Sequence, residues 1–161
     1  MRTFLWALAA LAAFGPAHAQ QQASLVSTRV VVSGEVQREL SLTVDELRAI
    51  AKKRGAASLG SYGGILLTSL LAEADIRQDA RLAMRRTYVI ARATDGYPAV
   101  FSWGELFNTP VGAGVLVAYE RDGAPLRDGE GQIALVSTAD ERPGPRHVKW
   151  LNRIEVRRVP E

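Results

Sequence analysis

Apolar and polar positions fall in short blocks that change period several times along the chain. Leu25–Ser33 is rich in Val and Thr and predicts a first strand. Gly34-Glu35 marks a turn, and Arg38–Leu42, polar and apolar by turns, predicts the returning strand. Thr43 with Glu46 three residues later is a capping-box pattern, in which hydroxyl and carboxylate each satisfy a backbone N–H at a helix start. Val44, Leu47, Ile50 and Ala51 then share one helical face, and Gly55 is placed to end that helix. Ala56–Gly64 is small and Gly-rich, with Tyr62 its only large side chain, Ile65–Leu67 is apolar, and Thr68–Ala74 predicts a short helix. Arg77–Arg86 fits a loop with one helical turn.

The most constraining stretch is Tyr88–Leu106. Tyr88, Val89 and Ile90 favour an extended chain, as do Val100 and Phe101. Thr94-Asp95-Gly96 between them is a hairpin turn signal, since both Asp and Gly tolerate positive φ. Ser102 and Glu105 form a second capping box. Asn108–Gly114 reads as a loop, and Val115–Tyr119 as a strand covered on both faces. Arg121-Asp122-Gly123 is a turn, Ala124–Gly131 a polar connection, and Gln132–Ser137 a strand. Asp140–His147 predicts a loop, Val148–Leu151 a helical turn and Ile154–Val159 a last strand. The pattern is that of one α+β domain with no repeat or linker.

The N-terminus bears on compartment. Arg2, an apolar run Phe4–Phe14, the break Gly15-Pro16 and Ala17-His18-Ala19 have the layout of a signal peptide cleaved after Ala19. We therefore expect residues 1–19 to be a signal peptide, 20–27 a flexible N-terminus and 28–161 the domain, periplasmic or secreted. The apolar run is too short to span a membrane, so no anchor is expected after cleavage. Met1-Arg2-Thr3 carries one arginine, which points to export of an unfolded chain.

Composition narrows the chemistry. The 161 residues include no cysteine, which removes disulfides, thiolate ligands and cysteine nucleophiles. Of two histidines, His18 lies in the expected signal, so no multi-histidine metal site is possible and no metal ligands are assigned. The net charge of +3 is spread over groups of alternating sign, as on a solvated face, so no nucleic-acid partner is expected.

Two groups of residues remain as site candidates. Arg142, Arg146, His147 and Lys149 fall in one Pro- and Gly-framed loop. Arg offers bidentate anion binding and Lys a point charge, although pairing with Asp140 and Glu141 is equally open to such a loop. Asp95 and Tyr97 flank the hairpin turn, placed either for ligand contact or for turn chemistry and packing. Trp103 and Trp150 suit core or groove walls. Ser137, Asp140 and His147 are triad residue types, but no nucleophile-elbow motif surrounds Ser137, and no catalytic residue is assigned.

Six segments occur in one order: VSGEV (32–36), LTVDEL (42–47), YGGILLTSLL (62–71), ATDGY (93–97), VLVAYERDGAPL (115–126) and RHVKWLNRIEV (146–156). Together they resemble the sulfite-oxidase-type oxidoreductase molybdopterin-binding domain, in a short exported form. The resemblance implies mixed β-sheets with short helices and a groove holding a pterin with its phosphate tail. It implies that Arg146 and Lys149 contact phosphate, with His147 beside the site. Catalytic members hold molybdenum through a cysteine thiolate, which this chain lacks. The expectation is therefore a domain without molybdenum redox chemistry, with molybdopterin itself still possible, binding a small anionic or pterin-like ligand or a periplasmic protein partner. The alternative is a molybdopterin-dependent oxidoreductase with an atypical ligand set or a partner redox subunit.

Overall fold

Val30 and Val32 are buried while Val31 between them is half-exposed, the period-two signature of a strand against a core. In a computed structural model, which describes residues 26–78, 82–142 and 144–160, this strand opens the order β1 (Val30–Gly34), β2 (Leu40–Leu42), α1 (Val44–Arg54), β3 (Ala57–Leu59), β4 (Tyr62–Leu66), α2 (Leu67–Ala74). There follow α3 (Ala83–Arg86), β5 (Thr87–Ala93), β6 (Pro98–Ser102), α4 (Trp103–Asn108), a 3-10 turn (Pro110–Gly114), β7 (Val115–Arg121), β8 (Ala124–Pro125), β9 (Ala134–Ser137), a second 3-10 turn (Gly144–Arg146) and β10 (Leu151–Arg158). The expected signal peptide, residues 20–25 of the expected flexible N-terminus and Pro143 lie outside the described residues, as does part of Arg77–Arg86.

Two five-stranded sheets result. The first has the order β2-β1-β10-β5-β6 and is mixed, with β1 parallel to β10 and the other pairs antiparallel. In the second, β3-β4-β7-β8, β9 also pairs with β7, and all pairs are antiparallel. This is the α+β architecture expected.

Strand β7 joins two cores. Val115, Val117 and Tyr119 enter the main one with Leu47, Leu70, Leu71, Phe101 and Ile154. Leu116 and Ala118 turn the other way, onto Leu126, Ala134 and Val136. Each fully buried Leu, Ile or Phe contributes about 1.5–3 kcal/mol relative to its exposed state.

Both capping boxes form. The N–H of Thr43 donates to Glu46 Oε2 at 2.7 Å, and the N–H of Glu105 donates to Ser102 Oγ at 3.0 Å. The hairpin turn lies where expected, but only Gly96 has positive φ, at 89°. Asp95 serves as acceptor instead, its Oδ1 taking the Tyr97 N–H at 2.9 Å.

The Gly-rich stretch before Ile65, to which the sequence assigns no element, is a hairpin, β3–β4. Gly64 is there for close approach, since a Cβ would collide with the Val117 carbonyl on β7. Val148–Leu151 is not a helical turn. Val148 exchanges two backbone hydrogen bonds with Leu135, both 2.9 Å, so pairing with β9 holds it extended. Trp150 then turns the chain at φ 49°, and Leu151 begins β10.

Candidate ligand cavity

The bridge to Leu135 fixes which way the RHVKW segment faces. Val148 is fully buried, so its neighbours His147 and Lys149 lie on the opposite side. Trp150 is locked by three bonds: its N–H to the Glu130 carbonyl (2.8 Å), its indole N–H to the Asp128 carbonyl (2.8 Å), and its carbonyl accepting from the Thr94 N–H (3.0 Å). Gly131 packs so close beneath Trp150 that a Cβ there would meet the indole.

Two adjoining hollows share Lys149. The larger, about 620 Å³, is lined by Arg121, Asp122, Arg127, Glu130 and Lys149 among others. The smaller, about 300 Å³, is lined by Asp95, Tyr97, His147, Lys149 and Trp150. The Tyr97 hydroxyl donates to the Pro145 carbonyl at 2.7 Å and so ties the hairpin to the loop. Asp95 and Tyr97 thus hold the turn and the loop together while lining the smaller hollow.

The four basic residues of the loop do not converge. Arg146 lines neither hollow and is paired with two carboxylates. Its Nε donates to Asp140 Oδ2 at 2.7 Å, Nη2 to Asp140 Oδ1, and Nη1 to Glu105 Oε1 at 2.6 Å. Its guanidinium carbon lies 4.6 Å from the centre of the Phe101 ring. This hydrogen bonding holds the Asp140 carboxyl below the usual range and raises Arg146 further. Arg142 is exposed and lines neither hollow. Of the four, His147 and Lys149 reach the cavity. Ser137, Asp140 and His147 form no triad, because Asp140 is committed to Arg146.

Residues treated as a solvated face in the sequence complete the wall. Arg121 is paired with Glu130 Oε1 at 2.9 Å and with Asp122 at 3.9 Å. Lys149 and Arg127 have no ion-pair partner among the described residues, and with Arg121 held between Asp122 and Glu130 the lining of the larger hollow carries three cations and two carboxylates. Tyr62 donates to Glu130 Oε1 at 3.1 Å and meets the His147 ring edge-on at 5.9 Å. Burial, then the bond to Glu130, raises the Tyr62 pKa. Burial lowers that of His147, which disfavours its charged form. Two atoms of this cluster, Glu130 Oε2 and His147 Nε2, are buried without a hydrogen-bond partner. No signal in the sequence marked Tyr62, Glu130 or Arg127; the fold brings Tyr62 on β4 onto the turn that holds Arg127 and Glu130.

The chain belongs to the oxidoreductase molybdopterin binding domain family, whose model matches residues 49–161. Among similar proteins, mitochondrial sulfite oxidase of Macaca fascicularis is 32% identical over 120 residues, covering 70% of this chain and 21% of that protein. Mitochondrial sulfite oxidase of Mus musculus is 30% identical over 138 residues, covering 81% and 24%. The chain thus spans about a quarter or less of these relatives' length. The crystal structure of the sulfane dehydrogenase SoxCD from Paracoccus pantotrophus has the same fold, with a TM-score of 0.57 at 21% identity over 80% of this chain and 37% of that one.

The donor set suits part of molybdopterin only. Lys149 and Arg127 offer two free cations to an anionic tail, and Tyr97 and Trp150 offer flat walls. For the metal the chain has no thiolate, and the described residues include no group of three or more His, Cys, Asp or Glu that could hold an ion. The hollows thus offer cations and flat walls to an organic anion, and among the described residues no protein ligand set for the metal.

Proposed function

We propose that this chain is an exported, ligand-binding member of its family that performs no molybdenum redox chemistry. It takes a small anionic or pterin-like ligand and acts through a periplasmic protein partner. The observation that carries this reading is the pairing state of the cations. Arg146 is neutralised by Asp140 and Glu105, whereas Lys149 and Arg127 are left to one hollow of about 620 Å³, in a chain without cysteine. Each charge-assisted hydrogen bond contributes roughly 1.5–3 kcal/mol before ordering costs, which sets an affinity on the order of micromolar to millimolar. Exposed Tyr97, Val100 and Phe107 lie on and just beyond the hairpin that borders the hollows, and supply apolar area for a partner.

The test has two parts. Protein isolated from its native periplasm is analysed for molybdenum and pterin after gel filtration, and no stoichiometric metal is expected. Thermal melts are then recorded across a phosphate series, with chloride at matched ionic strength. Phosphate is expected to stabilise wild type and to lose that effect in the Arg127→Ala/Lys149→Ala double variant. One molybdenum per chain, or equal phosphate shifts in both proteins, would overturn the reading.

A further inference from the structure

We propose that this chain forms a two-fold dimer in which β6 of one copy pairs antiparallel with β6 of a second copy, centred on Val100. The proposal goes beyond the ligand reading above and does not depend on it.

Its basis lies at the borders of the two sheets. An edge strand carries a row of unpaired N–H and C=O groups, and proteins keep such edges short, charged or covered. At the other border of the first sheet, Arg29 Nη1 covers β2 by donating to the Ser41 carbonyl at 2.7 Å. In the second sheet Val148 bridges β9, while β3 and β8 have only three and two residues. Strand β6 is also a border strand, but it has five residues, Pro-Ala-Val-Phe-Ser, and no charged side chain. Pro98 protects its first position alone.

The hairpin sets which backbone groups of β6 are free. The Ala93 N–H donates to the Tyr97 carbonyl at 2.9 Å, which makes these two a hydrogen-bonded pair of the ladder. Such pairs alternate along an antiparallel ladder. Ala99, opposite Ala91, and Phe101, opposite Val89, therefore bond to β5. Pro98, Val100 and Ser102 direct their backbone groups outward. Pro98 suits this phase, having no N–H to give to β5. Ser102 agrees with it, since its N–H reaches Glu105 Oε2 at 3.4 Å. That leaves the Val100 N–H and C=O without a partner among the described residues.

This edge is complementary to itself. Across a two-fold axis, each surface meets its own copy. With Val100 on the axis, each Val100 N–H donates to the Val100 carbonyl of the other copy. Pro98, which lacks a donor, falls opposite Ser102, so no N–H is stranded. A two-fold also sets every charge against its own kind, and an uncharged strand brings no such repulsion. The side chains agree with the backbone. Val100 is 52% exposed, and exposed Tyr97 and Phe107 lie in the turn and the helix that flank β6. On the inner side, fully buried Phe101 lies against the Arg146 guanidinium, so the strand is held extended before a second copy arrives.

Sedimentation equilibrium of the purified protein tests this, over concentrations from micromolar to hundreds of micromolar. A reversible dimer is expected. Val100→Lys puts two ammonium groups on the axis. Val100→Pro removes the free N–H, and the monomer tolerates it because that N–H does not bond to β5. Each variant should weaken association at least about tenfold, the scale of two lost hydrogen bonds, with the circular dichroism of the monomer unchanged. Because the chain has no cysteine, Val100→Cys offers a single thiol, through which a short bis-maleimide should link two copies. Ser41→Cys, on the opposite border of the same sheet, should stay unlinked. A monomer at every concentration would leave the edge to another protein's strand or to none, and would overturn the proposal. So would a dimer that survives Val100→Lys, or linkage at Ser41→Cys as ready as at Val100→Cys. A dimer lost in Val100→Lys but kept in Val100→Pro would replace strand pairing by a side-chain contact, and would overturn it too. If Val100→Pro fails to fold, the cross-linking pair still decides.

Discussion

Arg146 donates through Nη1 to Glu105 Oε1 at 2.6 Å, and Glu105 is the same residue whose other oxygen caps the N-terminus of α4. One carboxylate therefore joins a helix start to the loop that carries His147 and Lys149. Removing Arg146 leaves Asp140 and Glu105 partly buried without a counter-charge. Arg146→Ala is expected to destabilise by about 2–4 kcal/mol, and Arg146→Lys to recover little, since an ammonium cannot replace a bidentate fork. Urea denaturation of the two variants measures this.

His147 makes stability depend on pH in a defined direction. Burial lowers its folded pKa, so the unfolded imidazole binds a proton more readily. Its contribution is complete above the ordinary value of about 6.5 and is lost progressively as pH falls below it toward the folded value. The urea midpoint of wild type should drop between pH 7.5 and 5.5. His147→Gln should show a smaller drop over the same interval, and an identical drop would assign the effect to other groups.

Two glycines should fail for different reasons. At Gly64 φ is ordinary, but a Cβ would collide with the Val117 carbonyl and the Ala118 Cα of β7. Gly64→Ala should cost about 1–3 kcal/mol or more by forcing β4 off β7. Gly96 has φ 89° with open space around it, so Gly96→Ala should cost only about 1 kcal/mol, from backbone conformation alone. Thermal melts of the pair should rank them in that order.

The caps test local against tertiary stabilisation. Thr43→Ala should cost about 1 kcal/mol, the usual loss for a capping hydroxyl. Ser102→Ala removes a cap of the same type, but it also loosens Glu105 and through it Arg146. Ser102→Ala and Arg146→Ala should therefore be non-additive in a double-mutant cycle, by about 0.5 kcal/mol or more.

What could be read in advance was whatever a few neighbouring residues decide. Both capping boxes appear as a hydroxyl and a glutamate three residues apart, and both form. The two-faced burial of Val115–Tyr119 is legible because five apolar residues in a row leave no polar face. The strand through Gly63 and Gly64 was not legible, because glycine carries no side chain to mark a buried face. The site was half legible for a related reason. Lys149 and His147 stand out as a cation and an imidazole in one loop. Arg146 has the same appearance, and only Glu105, forty-one residues away, shows that it is already occupied. Arg127, Glu130 and Tyr62 gain meaning only when β9 pairs with β7 and carries its leading turn onto the loop.

The place of β10 has a consequence for how the chain reaches this state. It is the last strand in sequence and the middle strand of its sheet, parallel to β1 on one side and antiparallel to β5 on the other. Until residues 151–158 are in place, β2-β1 and β5-β6 are two separate hairpins with no hydrogen bond between them. The last eight-residue strand thus decides whether the first sheet exists at all. Contacts of such long sequence separation close late and fold slowly. A chain shortened within β10 should keep local helix and hairpin structure but lose cooperative unfolding, since it lacks the one strand common to both halves.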